Sequence, residues 1–102
     1  MHDDYFEGIL QLRNPTEEVY KFLANQFRDH PKYWIAKKDI LKNGCDLYIS
    51  SNKFLMALGK KLKKSFPKGE LKLSKKLFSQ DRLTSKMVYR GTVLFRLPEE
   101  TT

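Results

Sequence analysis

The dipeptide Asn43-Gly44 constrains this chain more than any other pair of residues. Asn-Gly is the strongest short hairpin signal, because both residue types tolerate the positive φ that a tight reverse turn requires. Before it, Tyr33 to Leu41 is rich in aromatic and aliphatic residues; after it, Asp46 to Ser50 reads as the returning strand. An antiparallel pair in the middle of the chain is the fixed point around which everything else must be arranged.

Tyr5 to Arg13 alternates, with Phe6, Gly8, Leu10 and Leu12 on one side and Tyr5, Glu7, Ile9, Gln11 and Arg13 on the other, the period of a strand. Asn14-Pro15-Thr16-Glu17 then supplies a capping oxygen, a proline suited to the first helical position and an acid at the positive end of the helix dipole. Val19, Phe22, Leu23 and Phe27 recur at helical spacing until His30-Pro31, so the helix ends near Asp29. After the central hairpin, Ser51-Asn52 caps a second helix with Leu55, Leu58, Leu62 and Phe66 along one face, terminated by Pro67-Lys68-Gly69. Leu71 and Leu73 alternate with polar residues, as does Met87 to Leu97, which predicts a final hairpin whose loop spans about Phe78 to Ser85.

The order strand-helix-strand-strand-helix-strand-strand predicts an α/β fold of the α+β type. It is a two-layer sandwich with a mostly antiparallel sheet and both helices on one face. A chain of 102 residues is expected to form one domain with one core, frayed at residues 1–4 and 98–102. No apolar run reaches the roughly 18 residues of a membrane span, and the acidic start Met1-His2-Asp3-Asp4 is unlike a signal peptide. Cys45 is the only cysteine, which excludes an intramolecular disulfide and a multi-cysteine zinc site within these residues and fits a reducing, cytoplasmic setting. His2 and His30 have no partner at ligand spacing, so no metal or cofactor is expected, and the expected state is a monomer.

The net charge of +8 is local. Lys60 to Arg96 holds twelve Lys and Arg against the two acids Glu70 and Asp81, whereas the remaining residues are slightly acidic. Like charges repel in the compact state, so this concentration points to an external polyanion. Lys60, Lys61, Lys63 and Lys64 surround Leu62 with no acid three or four residues away. The helix dipole accounts for only part of such a cluster. Alternation puts Arg90, Thr92 and Arg96 on the sheet face away from the helices, with Lys72, Lys76, Gln11 and Arg13 as candidate neighbours. The same pattern also suits a solvated face whose lysines guard against edge pairing. Together with Lys68, Lys75, Arg82 and Lys86, these cations are expected to form one exposed flank facing phosphates. Phe22, Phe27, Phe66 and Phe95 read as core; Phe78, in the expected loop, is the one aromatic proposed to touch a ligand.

Tyr5-Phe6-Glu7-Gly8-Ile9-Leu10-Gln11-Leu12-Arg13 resembles the start of the ribosome-associating region of the NMD3 family, the large-subunit export adaptors and their archaeal relatives. Three further pieces follow in order: Cys45 to Ser51, Ser74-Lys75-Lys76-Leu77 through Asp81, and Val88 to Val93. The resemblance implies an α/β domain that binds the large ribosomal subunit during late assembly, without catalysis, in cytoplasm and, in a eukaryote, nucleus. It suggests Arg13, Lys75, Lys76 and Arg90 as RNA contacts, and a chain that is an excised middle domain or a shortened relative. The family's paired Cys-x-x-Cys sites and export signal are not in these residues, so zinc binding and export do not carry over.

The leading expectation is therefore a non-enzymatic module docking on ribosomal RNA and neighbouring ribosomal proteins. Its candidate contacts are Arg13, Lys60, Lys61, Lys63, Lys64, Lys72, Lys75, Lys76, Arg82, Lys86, Arg90 and Arg96. Roughly four to six phosphate contacts give a log-log salt slope of about −3 to −5. The alternative is a protein-interaction module using an exposed strand edge or the Trp34 region. A nuclease is disfavoured, because Glu70 and Asp81 are too few and too far apart in sequence for a metal site.

Overall fold

The structure, a computed structural model, describes residues 5–81 and 86–98, with the backbone alone at 75–81 and 86–90. The first alternating segment becomes β1 (Gly8–Arg13), with Gly8, Leu10 and Leu12 buried and Ile9, Gln11 and Arg13 half-exposed. Next comes α1 (Glu17–Asp29), whose cap is Thr16 rather than Asn14: the Thr16 hydroxyl accepts from the Val19 amide. Pro15 consequently precedes the cap. Asn14, with φ at 53°, turns the chain and donates its side-chain amide to the Leu97 carbonyl at 3.3 Å.

The central hairpin joins β2 (Ile35–Leu41) to β3 (Gly44–Ile49) through Lys42-Asn43, with Leu41 opposite Gly44. The glycine thus opens the returning strand instead of sitting within the loop. Its φ is +157°, and a Cβ there would stand 1.9 Å from the Leu12 carbonyl oxygen, so β1 and β3 approach at a point that only glycine permits. The second helix is α2 (Asn52–Ser65), followed by β4 (Glu70–Asp81) and β5 (Lys86–Arg96). β4 runs farther than its apolar alternation predicts. It takes up the first half of the expected loop, and a register irregularity between Leu77 and Ser79 absorbs Phe78.

The five strands lie in the order β2-β3-β1-β5-β4, antiparallel throughout except for the parallel pair β1 and β5. From those pairings β2 runs parallel to β1, and β4 parallel to β3, so each helix is the crossover of a parallel pair. The two crossovers move in opposite directions across the sheet from strands of opposite sense. Sharing the usual right hand, they bring both helices to the same face. One apolar cluster unites Val19 and Leu23 of α1, Leu55, Leu58 and Leu62 of α2, and Leu10, Leu12, Cys45, Leu47, Ile49, Val93 and Phe95 of the sheet. Each fully buried leucine there contributes about 1.5–3 kcal/mol. The layers are those the sequence predicts, and the opposite sheet face is open.

Candidate nucleic-acid interface

α2 is fixed to the sheet at both ends. At its start, the Ser51 hydroxyl accepts from the Phe54 amide at 3.2 Å, and Glu7 Oε1 accepts from the Asn52 amide at 2.8 Å. Asn52 Oδ1 accepts from the Gly91 amide at 2.9 Å, which ties the helix to β5. Gly8 and Gly91 are register partners, and they make the flat spot on which this end rests: an added Cβ would lie 2.4 Å from Leu55 Cδ2 or 2.5 Å from Met56 Cε. At the far end, Lys63 Nζ donates to the carbonyls of Pro67 at 3.0 Å and Gly69 at 2.7 Å, where the helix dipole is negative.

Because Phe54, Leu55, Leu58, Gly59 and Leu62 face inward, helical geometry obliges Lys53, Ala57, Lys60, Lys61 and Lys64 to face out. Lys53 to Lys64 covers about 16 Å at 1.5 Å per residue. Lys61 donates to Gln26 Oε1 at 3.1 Å. Among the described residues, no carboxylate forms an ion pair with any lysine of α2. The neighbouring α1 behaves differently: Lys21 pairs with Glu17 at 3.8 Å and Arg28 with Asp29 at 3.6 Å.

The open sheet face is a mosaic of opposite charges. Arg13 donates one guanidinium nitrogen to Asp46 Oδ1 at 3.0 Å and to the Leu12 carbonyl at 2.9 Å. Its side chain is only 24% exposed, so it is held in a part-buried pair and not presented to solvent. Lys37 lies 3.8 Å from Asp39, whose other oxygen accepts from the Tyr48 hydroxyl at 3.1 Å. That hydrogen bond, with burial as a smaller cause, raises the Tyr48 pKa. Lys72 lies 3.7 Å from Glu70, and Glu70 stands opposite Arg96 in the ladder.

The expected cations therefore do not share one flank. Lys60, Lys61, Lys63 and Lys64 belong to the helix layer, whereas Arg13, Lys72 and Arg96 belong to the opposite face, where acids sit beside them: Asp46 by Arg13, and Glu70 by both Lys72 and Arg96. Lys75, Lys76, Lys86 and Arg90 are placed by backbone alone. Arg82 and the Phe78 side chain lie outside the described residues. Lys53 is the lysine that the sequence reading left out of the cluster, although its seven-residue offset from Lys60 marks it as sharing that side of the helix. Trp34 is half-buried, and its backbone is bound through Ser50, whose hydroxyl accepts from the Trp34 amide at 3.0 Å.

Over residues 5–97 the sequence matches the family model described as NMD3, second domain. No curated protein matches the chain.

Proposed function

The chain belongs to the NMD3 family, a ribosome-related family associated with the large subunit, and from that premise we propose that it is a non-enzymatic module docking on ribosomal RNA in subunit assembly or export. The surface that meets phosphate is the outward side of α2, with Lys53, Lys60, Lys61 and Lys64 at its centre and Lys63 at its flank. Its place of action is the cytoplasm, together with the nucleus in a eukaryote. The observation that carries this reading is the contrast between layers: Arg13, Lys21, Arg28, Lys37 and Lys72 are paired with carboxylates, whereas among the described residues none of the five lysines gathered on α2 is. Lysine is a point charge on a flexible stem, suited to phosphate without base readout. A-form RNA is recognised largely by such shape and backbone contacts.

The test is co-sedimentation of the chain with purified large subunits. The parent is expected to pellet with them, and Lys53→Glu combined with Lys60→Glu and Lys64→Glu to stay in the supernatant. Full retention of that variant on subunits overturns the reading. A second reading, docking of a protein along the β2 edge, is favoured by Ile40 at 72% exposure beside the exposed Ile35 and Leu41. Under it, Ile40→Lys releases the chain from subunits while the lysine variant remains bound.

A further inference from the structure

β1 ends the three-strand part of the sheet at Gly8, which stands opposite Gly91. From Arg90 back to Lys86, β5 has β4 as its only ladder partner among the described residues, paired from Lys76↔Arg90 to Asp81↔Lys86. This stretch is a two-stranded arm about 17 Å long at 3.3–3.4 Å per residue. It continues beyond the N-terminal end of α2, since Asn52 is bonded at Gly91 and the helix runs from there towards Phe95.

The ladder of the arm sets Lys76 directly opposite Arg90, with Lys75 next in line opposite Gly91. Like charges facing each other across an antiparallel pair destabilise it. Where the described residues supply no third strand, a ribbon has little packing to offset that cost. The contrary arrangement, acid opposite base, stands at Glu70 and Arg96 in the open sheet and at Asp81 and Lys86 at the far end of the arm.

Resting on the ribosomal-RNA reading above, we propose that the β4–β5 arm is a second RNA contact, in which the facing pair Lys76 and Arg90, with Lys75, holds backbone phosphates along the groove of an RNA duplex. A two-stranded ribbon is narrow enough to follow a nucleic-acid groove. The α2 lysines, one end of which adjoins the base of the arm, hold the same RNA farther along. The phosphate supplies the negative charge that the Lys76–Arg90 pair lacks.

Lys76→Glu is the discriminating variant, because it converts the like-charged pair with Arg90 into an opposite-charged one. Affinity of the whole chain for a short RNA duplex at about 0.15 M salt is expected to fall tenfold or more, and the salt slope to shrink by about 1.5–2. The thermal midpoint is expected to hold or rise, an outcome that lost folding does not produce. Lys76→Gln with Arg90→Gln is expected to weaken binding similarly. Unchanged affinity and slope in both variants, while Lys53→Glu with Lys60→Glu and Lys64→Glu abolishes binding, overturns the arm and leaves the α2 surface standing. A parent chain that does not bind the duplex overturns both. Equal binding of poly-glutamate, with the same dependence on Lys76, overturns the assignment to RNA.

Discussion

Counterion release lets the charge geometry be counted. Lys53, Lys60 and Lys64 are exposed on α2 with no described carboxylate in ion-pairing range, so each is free to displace a counterion from a phosphate. Changing all three to glutamine removes three contacts, at about 0.7–0.9 in log-log slope each, and the slope shrinks by about 2–2.7. Taking the electrostatic contribution to vanish near 1 M salt, that difference extrapolates to a loss of about a hundredfold in affinity at about 0.15 M, or about 2.7 kcal/mol. The control removes the same formal charge from lysines that already face acids: Lys21→Gln, Lys37→Gln and Lys72→Gln, whose ion pairs measure 3.8, 3.8 and 3.7 Å. Its slope is expected to change by less than about 0.5, because those ammonium groups hold a carboxylate instead of a condensed ion. Fluorescence anisotropy titrations of a ribosomal RNA fragment at four or more salt concentrations give both slopes. If the control triple reduces the slope as much as the α2 triple, net charge governs binding and the argument from the helix row fails.

Asn52→Ala takes the acceptor from the buried Gly91 amide and is expected to cost about 1–2 kcal/mol. This lowers the thermal midpoint by about 5–15 °C and speeds hydrogen exchange at Gly91; an unchanged Gly91 exchange rate counts against the clamp. Gly44→Ala, whose added carbon meets the Leu12 carbonyl oxygen, is expected to destabilise the β1–β3 pairing strongly in a denaturant titration, whereas Gly44→Ala with an unchanged midpoint refutes the close approach. Burial, reinforced by a hydrogen bond from its hydroxyl to Cys45 Sγ at 3.7 Å, pushes the Tyr20 pKa up to about 12 from an ordinary 10.0. The folded state then holds the phenolic proton more tightly than the unfolded one, so stability is expected to decline as pH rises from about 10 towards 12. Tyr20→Phe flattens that decline.

Much of the fold is legible because its signals are local. The alternation of Leu10 and Leu12, the Ser51 cap, the Pro31 stop and Asn43-Gly44 each act within a few residues, and the elements stand where those residues put them. Choosing between Asn14 and Thr16 as a cap depends on where the chain comes from, and the C-terminal Leu97 carbonyl claims the Asn14 side chain. The interface was less legible for the same reason. Lysine spacing reveals the outward side of α2, but the neutralisation of Arg13 needs Asp46, 33 residues away, and becomes visible only once β1 and β3 are paired. The extension of β4 to Asp81 follows from pairing with β5, not from its own polar composition.

The central position of β1 governs how this domain comes into being. Its parallel neighbour β5 is the last of the described strands, and Leu97 closes the pair by donating its amide to the Arg13 carbonyl at 3.1 Å. During synthesis β1 emerges before its neighbours; it can bond β3 on one flank but must wait for β5 on the other, with Leu10 and Leu12 uncovered in the interval. Such distant pairing favours slow, all-or-none closure over stepwise growth. Shortening the chain ahead of Phe95 therefore removes half the support of the middle strand, and the loss falls on the whole domain and not on its end.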